Sequence, residues 1–155
     1  MPTEPSASRP TTRLAAAERR EAILDAAEMV FVHAGLHATG TRDLAQASGV
    51  TEPVLYRHFP GKTSLFIAVV SRMIDQGIQD LSQAKTNQEK NHAIRRALEA
   101  LLLIDAAADV EEATAVARNR RTALEKAIAT STGHPGATEL TQRLGELVIH
   151  RIDQA

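Results

Sequence analysis

Cysteine is missing from this chain of 155 residues, which excludes disulfides and thiolate metal centres and fits a reducing cytosol. Aromatic residues are scarce: Phe31, Tyr56, Phe59 and Phe66 are the whole set, so none follows position 66. No apolar run is long enough to cross a bilayer, and the opening MPTEPSASRPTTR is polar and proline-bearing, without the apolar stretch of a secretory signal. The expected location is therefore cytoplasmic, with no membrane partner. Neither sign of charge dominates, since 18 Lys and Arg stand against 19 Asp and Glu for a net charge of −1. That balance excludes a chain basic throughout, yet a local set of cations suffices to displace counterions from a polyanion. Strand patterns, internal repeats, glycine-rich phosphate loops and nucleophile motifs are absent as well.

What is present is helical periodicity. Hydrophobic residues make up 43% of the chain and charged residues 24%, an ordinary globular composition for one good core or two small helical ones. Residues 1–13 are expected to form a disordered arm, because Pro, Ser and Thr there bury nothing that offsets the entropy of ordering. A first helix is predicted from about Leu14 to Ala34, with Ile23, Ala27, Phe31 and either Met29 or Val30 inside and Gly35 as its stop. From about Lys62 to Ala84 two apolar rows run side by side: Leu65, Val69, Met73, Gly77 and Leu81 in one, Phe66, Val70, Ile74 and Ile78 in the other. Two rows require two packing partners, which makes this helix a lever between the parts on either side of it.

Further on, Thr86 with Glu89 is a capping-box signature for a helix through about Ile104, with Ala93, Ile94, Ala97, Leu98, Leu101 and Leu102 inside. An Ala-rich, strongly charged helix follows from about Asp109 to Thr130. The loop STGHPGA at 131–137 precedes a last helix from Thr138 that bears Leu140, Leu144, Leu147, Val148 and Ile152. The fold class expected is all-α.

The densest information lies between Thr39 and Leu65, in TGTRDLAQASGVTEPVLYRHFPGKTSL. It reads as two short helices joined by a glycine turn, then the start of a third, which is the grammar of a helix-turn-helix. Leu44, Ala45, Val50, Leu55 and Phe59 are spaced to share a core, leaving Arg42, Glu52, Pro53, Arg57 and His58 outward. Gly49 can take the positive φ that ends the first helix, and Thr51 is expected to cap the second by accepting a bond from its early amides. Pro53 falls in the first turn, where the amide it lacks has no intrahelical partner. Pro60-Gly61 then breaks the chain before Lys62.

On these residues the run from Arg20 through Leu65 resembles the amino-terminal domain of the tetracycline-repressor (TetR) family of bacterial transcription regulators. The match rests on Arg20, Ile23-Leu24, Ala26-Ala27, Phe31, Gly35, Thr39, Arg42-Asp43-Leu44-Ala45, Gly49-Val50, Leu55-Tyr56, His58-Phe59 and Lys62. It departs at Gly40, where the family usually has Ser or Thr, and at Thr41, where it usually has an apolar residue. The resemblance implies a helix-turn-helix domain over 14–64, followed by a short α-helical regulatory and dimerisation domain over 65–155. It further implies a homodimer on a palindromic double-stranded DNA operator, and repression relieved by a small-molecule effector. The family's effector pockets tend to be partly aromatic, and here the carboxy-terminal part offers no aromatic residue.

Helix geometry assigns roles within that resemblance. The helix from Glu52 to His58 would enter the major groove amino-terminus first. Glu52 either accepts from a cytosine amino group or is simply a carboxylate favoured at a helix amino-terminus. Pro53 and Val54 would pack on a thymine methyl. Thr51, Tyr56, His58 and Lys62 resemble the family's phosphate clamps, with His58 equally suited to bonding the following turn. Thr39, Thr41, Arg42 and Arg57 complete the expected DNA face. Arg9, Arg13, Arg19 and Arg20 are further candidate cations, Arg19 and Arg20 reading equally well as a solvated face beside Glu18 and Glu21.

Catalytic and metal readings fare poorly. His33 and His37 have the spacing of a helical metal pair, but Gly35 between them ends the helix, so no metal or other cofactor is expected. Asp105 and Asp109 have carboxylate-pair spacing without a base or nucleophile beside them. Arg118, Arg120 and Arg121 read as a solvated face. The chain is not expected to be an enzyme. The competing expectation is a shortened helical interaction module that pairs with a fuller regulator and binds DNA weakly alone.

Overall fold

The computed structural model describes residues 9–133 together with 135, 136, 138, 142–144 and 146, with residues 9–14 described in backbone only. Six helices make up the described part, α1 Arg9–Ala38, α2 Thr41–Ala47, α3 Glu52–His58, α4 Lys62–Gln83, α5 Asn87–Asp105 and α6 Glu111–Thr132, and no strand occurs among these residues. Helix α1 begins before the expected Leu14, since Leu and the run Ala15 to Ala17 are strong helix formers with nothing to stop propagation towards the amino-terminus. Residues 1–8 of the expected arm, and most of the expected last helix after Thr138, lie outside the described residues.

Helix α1 bends where the sequence stops it. Gly35 sits at φ 73° inside the helical span, so the last residues to Ala38 form a separate turn. Of the two candidates for its buried stripe, Val30 packs against the core while Met29 is 71% exposed. The break also turns His33 and His37 apart, and no metal-binding group of His, Asp and Glu occurs among the described residues. His37 instead meets Asp109, in the turn before α6, at 2.9 Å.

Helix α4 holds the molecule together. It packs on α1, α5 and α6, and all of its predicted inner positions are buried except Ile78, which is partly so. Phe66 meets Phe31 of α1 edge-on, with ring centroids 5.2 Å apart. On the side facing α5, Gly77 brings the two backbones together: a Cβ there would stand 2.8 Å from the Ala97 methyl and 2.9 Å from the Ala93 carbonyl oxygen.

Ion pairs reinforce the same three-helix junction. Glu21, Asp25 and Glu28 recur on one face of α1, and Arg72 of α4 reaches all three at 3.3, 2.8 and 3.0 Å. Arg96 of α5 also binds Glu28, at 3.2 Å. Burial opposes the charge on Arg72, but its bonds to Glu28 and Asp25 more than offset this and raise its pKa. Arg120 of α6 pairs with Asp75 of α4.

The remaining helices start and stop for local reasons. Thr86 caps α5 by accepting from the Glu89 amide at 3.2 Å, while the Glu89 carboxylate accepts from the amides of Lys85 and Thr86. Those amide bonds hold the Glu89 carboxyl below its ordinary range. Between α5 and α6 the chain turns through residues 106–109, which removes Asp105 and Asp109 from a common helix face. Gly133 closes α6 at φ 73°. No helix is long and apolar enough to cross a membrane among the described residues.

Two outcomes follow for stability. Gly77→Ala forces α4 and α5 apart and is expected to cost about 1–3 kcal/mol, read as a lowered thermal midpoint. Glu28→Gln leaves Arg72 and Arg96 short of a shared counter-charge and is expected to cost about 2 kcal/mol in denaturant titration, less than a fully buried pair would lose.

Candidate nucleic-acid interface

Two seven-residue helices are too short to persist alone, so α2 and α3 depend on the core beneath them. Leu44 and Ala45 of α2, Leu55 of α3 and Phe59 beyond it are buried together with Ile23, Leu24 and Phe31 of α1. Gly49, at φ 64°, makes the turn between them, and the Val50 amide donates back to the Ala45 carbonyl at 3.0 Å. The amide of Phe59 donates to Leu55 at 3.0 Å, which closes α3 before Pro60 and Gly61. This is the expected helix-turn-helix.

Its caps differ from expectation in one respect. Thr51 is the residue before α3 with extended backbone, but its side chain accepts no capping bond. Pro53, at the second helical position, lacks one of the two amides such a hydroxyl serves, and the other, that of Val54, receives no bond from Thr51. Exposed Thr51 therefore keeps its hydroxyl for another partner. Gly40 precedes α2, where its amide donates to the Asp43 carboxylate at 3.2 Å.

The predicted DNA face is outward in part. Arg42, Thr51, Pro53, Tyr56 and Arg57 are exposed, Tyr56 at 45%, while Thr41, Glu52, Val54, His58 and Lys62 are half-buried. Thr39 is the departure: it is 3% exposed, and its hydroxyl donates to the Gly35 carbonyl at 2.6 Å. Its side chain is spent on stabilising the kink of α1 and is not on the face. Lys62 is partly committed too, since its ammonium donates to the Thr39 carbonyl at 2.8 Å and so ties the start of α4 to the α1–α2 turn.

Three contacts had no clear signal in the sequence. The Thr41 hydroxyl donates to Glu52 Oε2 at 3.0 Å, and Arg42 Nε stands 4.0 Å from Glu52 Oε1, so the two helix starts are joined by side chains. Arg20 lays its guanidinium 4.7 Å from the centroid of the Phe59 ring. That stacking, beside a 3.8 Å contact to Glu21, gives Arg20 a partner that neither reading of it included, while its side chain stays 45% exposed. The side chains of Arg9 and Arg13 fall outside the described residues. Thr39→Val removes the bond to Gly35 and leaves a carbonyl unpaired, so a loss of about 1–2 kcal/mol is expected in denaturant titration with the helical signal of the folded state retained.

Comparison with known proteins gives this arrangement a family. Residues 23–69 match the family described as bacterial regulatory proteins, tetR family. The HTH-type transcriptional activator FasR of Mycolicibacterium smegmatis is 42% identical over 89 residues, covering 57% of this chain and 41% of the relative. The HTH-type transcriptional repressor BepR of Brucella suis is 41% identical over 61 residues, which are 39% of this chain and 29% of the relative. The chain thus spans less than half the length of these curated relatives. Among solved structures, superantigen PfiT superposes with a TM-score of 0.59 at 22% identity, covering 88% of this chain and 87% of the other. AibR in complex with isovaleryl coenzyme A and operator DNA gives 0.56 at 21% identity, covering 82% of each chain. Identities this low show a shared all-helical fold and nothing finer. Residues 23–69, which carry the helix-turn-helix, are thus similar to the tetR family of bacterial regulatory proteins.

Proposed function

We propose that the chain is a sequence-specific DNA-binding transcriptional regulator of the cytoplasm, a repressor that binds a palindromic operator as a homodimer and is released by a small-molecule effector. The observation that carries the DNA reading is the exposed edge of α3, with Pro53, Tyr56 and Arg57 outward above buried Leu55. An α-helix so presented fits the major groove, and its amino-terminal residues reach base edges while later ones meet the backbone. In that pose Pro53 and Val54 pack on a thymine methyl, Thr51, Tyr56 and His58 bind phosphate, Arg57 supplies a cation to the backbone and Arg42 one that reaches a base edge. Lys62 binds phosphate with the protons its bond to Thr39 leaves free.

Regulation is supported by analogy in two parts. BepR is named a repressor and FasR an activator, so relatives use one reader domain with either sign. AibR was solved with both an acyl coenzyme A and operator DNA. A ligand acts on such a reader only by preferring one spacing of the two domains over another. The α1–α4–α5 junction provides the link, since α4 touches reader and carboxy-terminal helices alike.

The test combines molar mass by light scattering with recovery of bound sequences from randomised duplexes. A dimer that enriches a palindrome supports the proposal. A monomer with no enriched sequence would instead favour the module that pairs with a fuller regulator. Among variants, Tyr56→Phe is expected to weaken every duplex by a similar factor without changing the preferred sequence. Arg57→Ala is expected to reduce the slope of log affinity against log salt by about one.

A further inference from the structure

An acidic residue at the tip of a DNA-reading helix presents a physical problem, because phosphates on both sides of the groove repel it. Glu52 is the first residue of α3, and yet its side chain is only 39% exposed. Its carboxylate does not point freely outward. Oε2 accepts from the hydroxyl of Thr41, the first residue of α2, at 3.0 Å, and Oε1 faces the Arg42 guanidinium at 4.0 Å. Arg42 itself has a side chain 89% exposed, held by little else among the described residues.

We infer that Glu52 is a positioning residue which acts through Arg42, anchored by Thr41, and does not itself read a base. The inference rests on the DNA-reading function proposed above. Three physical points support it. A long arginine in open solvent samples many rotamers, and ordering it on binding costs entropy that a tethering carboxylate reduces in advance. The tether also offsets part of the charge of Glu52, so the acid opposes the approach of DNA less than a free carboxylate would. Finally, the bond to Thr41 draws the carboxylate of Glu52 across to α2, so that accepting from a cytosine amino group would mean sharing or giving up that partner.

Glu52 at the start of α3 also benefits from the helix amino-terminus. That effect alone would place the carboxylate over the α3 amides. The bond to Thr41 takes it across to α2 instead, which joins the starts of two helices otherwise linked by the Gly49 turn. The unusual Thr41, where the resembled family prefers an apolar residue, acquires a purpose here: it supplies the hydroxyl.

The test uses the full chain and three variants, Glu52→Gln, Arg42→Ala and the double variant, each put through selection from randomised duplexes and a salt titration on bulk DNA. Circular dichroism checks that each is folded, and Glu52→Gln keeps an oxygen for Thr41 while discarding the charge. Arg42→Ala should erase the preference at one base pair per half-site, an effect of about tenfold. Glu52→Gln should weaken preference at that same base pair, and the double variant should lose no more than Arg42→Ala alone. Because Glu52→Gln removes a negative charge, it should strengthen binding to bulk DNA and steepen its salt slope by up to about one, opposite to the loss of a contact.

Losses at two different base pairs that add in the double variant would show that Glu52 touches a base itself and would overturn the inference. An unchanged preference and salt slope in Glu52→Gln would overturn it also. If the unaltered chain enriches no sequence, the proposed DNA-reading function fails first, and the inference falls with it.

Discussion

Burial of α4 along two sides is the constraint on which the other parts depend. A helix that carries Phe66, Val70 and Ile74 beside Leu65, Val69 and Met73 has no stable existence in water, and each row must find a cover. Helix α1 supplies part of that cover through Phe31, and α5 supplies another through the close approach at Gly77. The acidic face of α1 then lies against Arg72, and Glu28 is shared with Arg96. Nε of both arginines is buried and unbonded among the described residues, a cost of this junction, so what holds the two guanidiniums in place is their shared bonding to Glu28. Reader and carboxy-terminal helices are therefore coupled by packing that resists sliding and by charge that fixes register.

The α2–α3 pair, in contrast, is a thin surface laid over that frame. Leu44, Ala45 and Leu55 anchor it, and side-chain bonds finish it: Thr39 to the kink at Gly35, Lys62 to the carbonyl of Thr39, Thr41 to Glu52. The first ties the α1–α2 turn back to α1, the second ties α4 to that turn, and the third joins α2 to α3. Displacement of α4 would thus be felt at the reading face first through Lys62, the residue that begins α4 and touches the turn ahead of α2. Such a route has the short, connected form that mechanical control of a reader requires.

Much of this was legible in the sequence because periodicity encodes burial. The two rows of α4 and the glycine turn at Gly49 followed from spacing and from the need for positive φ, and each is where it was expected. On α5, Ala93, Ile94, Ala97, Leu98 and Leu101 are buried as expected, but Leu102 is only half-buried and Ala100, Leu103 and Ile104 are buried in addition. Side-chain pairing across helices was not legible. Spacing alone makes Thr39 and Lys62 equally polar and equally outward, and it takes the folded chain to spend the Thr39 hydroxyl on Gly35 and half-commit Lys62. The same holds for Thr51, whose side chain makes no capping bond, and for Arg20, which found the Phe59 ring. Nor was the pairing of Glu21, Asp25 and Glu28 of α1 with Arg72, more than 40 residues away, legible, since no spacing within α1 announces it.

The central claim, that α2 and α3 together form the surface that meets DNA, is tested most directly by amide chemical-shift mapping. The isotope-labelled chain is titrated with a duplex recovered by selection, and a scrambled duplex of equal length serves as control. The account predicts the largest changes from Thr41 and Arg42 and from Thr51 through His58, with smaller ones near Lys62. Largest changes on α5 and α6, with α2 and α3 unmoved, would contradict it.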